Sequence, residues 1–160
     1  MDRNYNAVAL IGGNDMEEQN YDALKLENQI CFPLYAAARE IVKQYKPMLD
    51  KVDLTYTQYI VMMVLWDKKS ITTKELGHRL FLDSGTLTPL LKKMEAKGLL
   101  TRKRSKHDER NLDVTITEKG ERLKDQAIEI PAQMVKCSQL DSEEMLMLYK
   151  TLYKILGQEK

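Results

Sequence analysis

The stretch KELGHRLFLDSGTLTPLLKKMEAKG (residues 74–98) runs directly into LLTRKRSKHDERNLDVTI (residues 99–116), and together they determine the architecture. Residues 74–81 read as a short helix entered through Thr72 or Thr73, both suitable caps. Residues 82–85 read as a turn, and a second helix extends from about Ser84 to Lys97, with Gly98 placed as its left-handed cap. At ~100° per residue, Leu87, Leu90, Leu91 and Met94 share one narrow face of that helix, which must be buried. Residues 99–104 then alternate Leu100, Arg102 and Arg104 as a strand, residues 105–111 form a polar turn, and Leu112, Val114 and Ile116 alternate as a returning strand. Helix, tight turn, helix and basic hairpin is the order of a winged helix-turn-helix. The chain is therefore predicted to be mainly α with a small β-hairpin wing.

Upstream, a helix is predicted from about Thr55 to Trp66, with Tyr59, Met62, Met63 and Trp66 as core. Before it, Ile30, Leu34, Ala38, Ile41, Tyr45 and Met48 fall at helical spacing from Leu26 onward, and Pro33 must lie in the first turn or mark a kink. Downstream, Thr117 opens a helix reaching about Val135, and the run 141–144 caps a last helix with the stripe Met145, Leu148, Leu152 and Ile155. Residues 1–24 lack periodicity and read as a loosely ordered extension, with a short helix at 16–24. Residues 25–160 then form a single domain, in which helices at about 25–52 and 117–158 flank a winged helix-turn-helix at about 55–116.

A chain of 160 residues, 43% hydrophobic and 31% charged, suits one folded core rather than disorder. Its net charge of +1 conceals twelve Lys/Arg against five Asp/Glu in residues 68–110. Such a basic block is either a nucleic-acid footprint or a solvated charged face. No apolar run approaches the ~20 residues of a membrane span. The apolar run 7–11, preceded by Asp2 and Arg3, makes a poor signal peptide, so a cytoplasmic protein is expected. Cys31 and Cys137 form neither a metal-ligand spacing nor a CxxC pair, and no metal or cofactor is expected.

The face of the 84–97 helix opposite its leucines carries Thr86, Thr88, Pro89, Lys92 and Lys93. Small hydroxyls near the N-terminus followed by lysines one turn later suit a helix entering a major groove end-on. The Ser84 and Gly85 amides at its N-terminus can hold a backbone phosphate. Arg102, Lys103, Arg104 and Lys106 would supply phosphate charge from the wing. Arg110 is placed to enter the adjacent minor groove, oriented by Asp108, unless those two form an ordinary surface ion pair. His78 and His107 read as solvent or backbone-contact residues.

With those residues in hand, the chain resembles the MarR family of bacterial regulators, in particular its organic-hydroperoxide-sensing (OhrR-like) branch. The resemblance runs from about Leu26 to Leu156 and rests on LENQICFPLY (26–35), KQYKPMLDK (43–51), LTYTQY (54–59), LDSGTLTPLLKKME (82–95) and RSKHDER (104–110). It implies an obligate homodimer with intertwined terminal helices, two recognition helices reaching major grooves ~34 Å apart on a pseudo-palindromic operator, and repression as the activity. It also implies that Cys31 is the thiol oxidised by an organic hydroperoxide, with Tyr45 and Tyr56 hydrogen-bonding its thiolate and Tyr35 beside it. Cys137 stands roughly where some members carry a resolving cysteine; otherwise a small thiol must cap oxidised Cys31. From its residues alone Cys31 is either a structural thiol or a redox one. Its place near a helix start, where the dipole favours an anion, and the tyrosine donors give the redox role a physical basis.

Other readings remain open at this level. A phenolic or drug-like ligand in a dimer cleft lined by Trp66, Met62 and Met63 would switch the same DNA-binding protein without cysteine chemistry. A purely structural dimerisation module would carry the basic face without using it. A thiol peroxidase is disfavoured, since no histidine pairs with Cys31 in sequence and no nucleotide loop or carboxylate dyad is evident, so no enzyme activity is expected.

Overall fold

The computed structural model describes residues 21–105, 112–137 and 140–158, without the side chains of residues 136 and 137. The chain falls into two compact units, Met1–Gln44 and Tyr45–Lys160, the division lying within the first helix. That helix, α1 (Cys31–Leu49), follows two 3₁₀ turns, Tyr21–Leu24 and Leu26–Asn28. It begins five residues later than its apolar spacing suggested. A helix through 26–33 would need a Pro33 amide hydrogen for the Gln29 carbonyl, and proline has none, so Pro33 sits in the first turn.

Within the second unit, α2 (Tyr56–Lys68) is entered through a capping box: Thr55 Oγ1 accepts from the Gln58 amide while Gln58 Oε1 accepts from the Thr55 amide. Tyr59, Met62 and Trp66 are buried as expected, whereas Met63 points outward and is 47% exposed. Next come β1 (Ser70–Thr72) and α3 (Thr73–Leu80). The three-residue β1 is too short to show alternation in sequence, yet it pairs antiparallel with β3 (Leu112–Ile116), Ile71 opposite Val114. β2 (Leu100–Arg104) pairs on the other side of β3, Arg102 opposite Val114. The hairpin is thus two thirds of a three-stranded sheet with order β1-β3-β2.

Helix α3 ends at Leu80 because Phe81 adopts the left-handed conformation (φ 54°) and the Leu82 amide turns back to the Gly77 carbonyl at 2.9 Å. Helix α4 (Ser84–Ala96) follows, and Gly98 takes the predicted positive φ of 74°. Leu87, Leu91 and Met94 are buried against Met62, Leu65, Leu76, Leu100 and Val114, with Leu90 half-buried at the margin.

The single helix expected from Thr117 to Val135 is two, α5 (Glu118–Ala127) and α6 (Ile130–Cys137). Pro131 explains the break, since it cannot donate to the Ala127 carbonyl and its ring would strike it. The last helix, α7 (Ser142–Ile155), starts at the predicted cap, where Asp141 accepts from the Glu143 and Glu144 amides and Glu144 returns a bond to the Asp141 amide. No helix among the described residues is long and apolar enough to cross a membrane.

Candidate nucleic-acid interface and thiol site

Helix α4 buries its leucines and leaves Ser84, Gly85, Thr86, Thr88, Pro89, Lys92 and Lys93 exposed on one face. Asp83, read only as part of a turn, is its N-cap: Oδ1 accepts from the Thr86 amide (2.9 Å) and Oδ2 from the Thr86 hydroxyl (3.0 Å). An aspartate three residues before a threonine was the available signal. The Thr86 hydroxyl hydrogen is thereby committed, so toward any further partner this hydroxyl accepts rather than donates. Pro89 removes the usual i+4 donor to the Gly85 carbonyl.

The Thr86 amide, then the Thr86 hydroxyl, hold the Asp83 carboxyl below its usual value of 3.8. A lowered native value means stability that is present above the unfolded pKa and lost as pH falls through it toward the native one. The stability difference between wild type and Asp83→Asn should therefore be fully developed above about pH 5 and close as acid is added. Urea melts across that range check this, and a difference independent of pH would show the charge to be idle.

Lys74 and His78 on α3 line a cleft of about 400 Å³ with Ser84 and Thr88 of α4 and with Arg102 and Leu112 of the wing. Lys74 belongs to no motif legible in sequence, but its i, i+4 spacing to His78 puts both on one side of α3. On the wing, Lys103 and Arg104 are exposed. Arg102 is not one of the displayed cations. Its side chain is 16% exposed and pairs with Glu95 of α4. Lys106, Asp108 and Arg110, like His107, lie outside the described residues.

Cys31 is exposed and is the first residue of α1. One turn on, Tyr35 accepts a 2.8 Å hydrogen bond from Arg39 Nη1, which leaves the phenol hydrogen for another acceptor. Tyr45 and Tyr56 come together, ring centroids 5.0 Å apart, and Tyr59 continues the cluster at 6.0 Å from Tyr45 and 6.1 Å from Trp66. Burial raises the pKa of the Tyr45 and Tyr56 phenols, so both stay protonated and remain donors. Cys137 ends α6, its side chain outside the description. Met63 and Trp66 line a second cleft of about 450 Å³ with Tyr59, Ala127, Ile128 and Pro131, while Met62 belongs to the core instead. Among the described residues no cluster of His, Cys, Asp and Glu could hold a metal ion.

A family model described as transcriptional regulator SarA/Rot matches residues 43–127. The chain is 49% identical over 139 residues to the organic hydroperoxide resistance transcriptional regulator of Bacillus subtilis (strain 168), covering 87% of this chain and 95% of that one. Among solved structures, reduced AbfR bound to DNA is 32% identical with a TM-score of 0.70, over 84% of this chain and 93% of that one. Disulfide-formed AbfR, a protein of Staphylococcus epidermidis, is 31% identical with a TM-score of 0.60, over 83% and 93%.

Proposed function

Because this chain belongs to the MarR family of transcriptional regulators, in the branch of the organic hydroperoxide resistance regulators, we propose that it is a homodimeric repressor that holds a pseudo-palindromic operator while Cys31 is reduced and releases it when an organic hydroperoxide oxidises that thiol. The observation that carries this reading is an exposed thiol at the first residue of a 19-residue helix, in a chain built like hydroperoxide regulators. The thiolate sulfur attacks the terminal peroxide oxygen; an S–O bond forms as the O–O bond breaks, and the alkoxide leaves as alcohol after taking a proton. The sulfenic acid then condenses with a second thiolate, forming S–S and expelling hydroxide that leaves as water. Cys137 of the partner subunit is the candidate for that second thiol.

A second copy of the chain is supported by apolar side chains that a soluble monomer would hide and that lie uncovered here: Phe32, Leu34 and Ile41 in α1, and Leu146, Met147 and Ile155 in α7, a helix without one buried residue. On the DNA, the exposed face of α4 suits a major groove and the exposed wing cations suit phosphate.

The cleft at Met63 and Trp66 favours a second reading, in which an apolar or phenolic ligand there switches the same repressor. One experiment separates them. A duplex selected from a random pool by the reduced protein is titrated before and after one equivalent of cumene hydroperoxide. Release that dithiothreitol reverses is expected. Undiminished binding after stoichiometric oxidation of Cys31, verified by mass, overturns the thiol switch and leaves the cleft.

A further inference from the structure

Glu95 stands in the last turn of α4, and Arg102 is the middle residue of β2, an edge strand of the sheet. One carboxylate holds this strand in two ways. Oε1 accepts from the Arg102 backbone amide at 2.9 Å, and Oε2 accepts from Arg102 Nε and Nη2 at 3.0 and 2.7 Å. The amide so capped faces away from β3, where an edge strand otherwise presents an unpaired donor. Toward the N-terminus of α4 the helix and the wing part around the cleft of about 400 Å³, so the pair grips the two elements at its far end.

We infer that Glu95 and Arg102 are positioning residues that set the wing against α4, so that the cations before the pair (Lys92, Lys93) and after it (Lys103, Arg104) meet DNA in one register. This rests on the DNA-binding reading above. A two-point grip by a planar guanidinium and a main-chain amide fixes both distance and angle, which a single-point lysine pair would not. With its charge matched by Glu95 and its side chain mostly covered, Arg102 acts through its neighbours rather than on phosphate.

The inference makes a sign prediction that charge alone contradicts. Glu95→Gln removes an acid beside the proposed interface, which by simple electrostatics tightens DNA binding. Loss of the grip weakens it instead, by roughly tenfold for the selected duplex. The full-length reduced protein is compared with Glu95→Gln, Arg102→Lys and the swapped pair Glu95→Arg with Arg102→Glu. Each is titrated and footprinted with hydroxyl radicals at a temperature where circular dichroism shows it folded. Expected are weaker binding by both single variants, loss of protection confined to the outer, wing-contacted positions, and partial recovery in the swapped pair. Equal or tighter binding by Glu95→Gln, or protection weakened evenly along the duplex, overturns the inference while leaving the DNA reading intact. A wild type that selects no duplex overturns both.

Discussion

Cys31→Ser protein should remain on its operator through an oxidant challenge that lowers wild-type affinity on the order of a hundredfold, the upper part of the range of coupling between two sites in one protein. The substitution isolates the chemistry because Cys31 is exposed at the first residue of α1, so serine neither opens a cavity nor removes a helix hydrogen bond. Serine also suits a helix start, and its hydroxyl cannot form the S–O bond that begins the cycle. Before oxidant the variant and the wild type should bind alike within about threefold, since reduced Cys31 lies on a different element from the exposed face of α4. A Cys137→Ser protein reports the second step. If Cys137 is the resolving thiol, this variant reacts with one equivalent of cumene hydroperoxide but gives no dimer-sized band on a non-reducing gel. A band that persists without Cys137 removes it from the scheme. Release of Cys31→Ser by hydroperoxide would sink the thiol switch altogether.

How far this was legible beforehand depends on what each residue needed from elsewhere in the chain. The helix-turn-helix was readable because its signals are local: Leu87, Leu91 and Met94 recur at helical spacing, and Gly98 supplies the left-handed cap its conformation requires. Strand β1 was not, because three residues carry no period and its reason for being a strand is Thr115, Val114 and Asp113 more than forty positions away. Pro131 was in plain view, and the steric rule that splits α5 from α6 at Ala127 could have been applied to it. Arg102 shows the limit of counting charge. Its sign was legible, but whether it faces phosphate or Glu95 depends on how the turn at 97–99 brings β2 back past α4. Cys31, Tyr45 and Tyr56 stand out only through the family resemblance; by residue type alone they are an idle thiol and ordinary aromatics. In the structure Tyr45 and Tyr56 lie in ring contact, and burial raises the pKa of both phenols.

The largest stability loss is expected at Gly120, which no functional reading touches. A Cβ there would lie 2.2 Å from the Leu99 carbonyl oxygen and 2.9 Å from Ile116 Cγ1. That carbonyl cannot retreat freely, because it accepts the Thr117 amide at 3.1 Å, and Thr117 Oγ1 in turn donates to the Gly98 carbonyl at 2.7 Å. Gly120 itself is held from the other side, its amide donating to Thr117 Oγ1 at 3.1 Å and its carbonyl accepting Trp66 Nε1 at 2.9 Å. Gly120→Ala must therefore push α5 off the β2 end of the sheet or break the buried indole bond. Overpacking of this kind costs about 3 kcal/mol, which corresponds to a fall in Tm of roughly 6–12 °C for a chain of this size. Gly98→Ala is the control. It has positive φ (74°) but no atom nearer than Lys119 Cδ at 3.8 Å, so only backbone strain is introduced, about 1 kcal/mol. Thermal melts followed by circular dichroism should rank Gly120→Ala well below Gly98→Ala. Trp66, the single tryptophan, should shift its emission in the first variant and not in the second. Equal losses would mean that α5 yields at its N-terminus, and that the Trp66–Gly120 bond is not what docks it against α2.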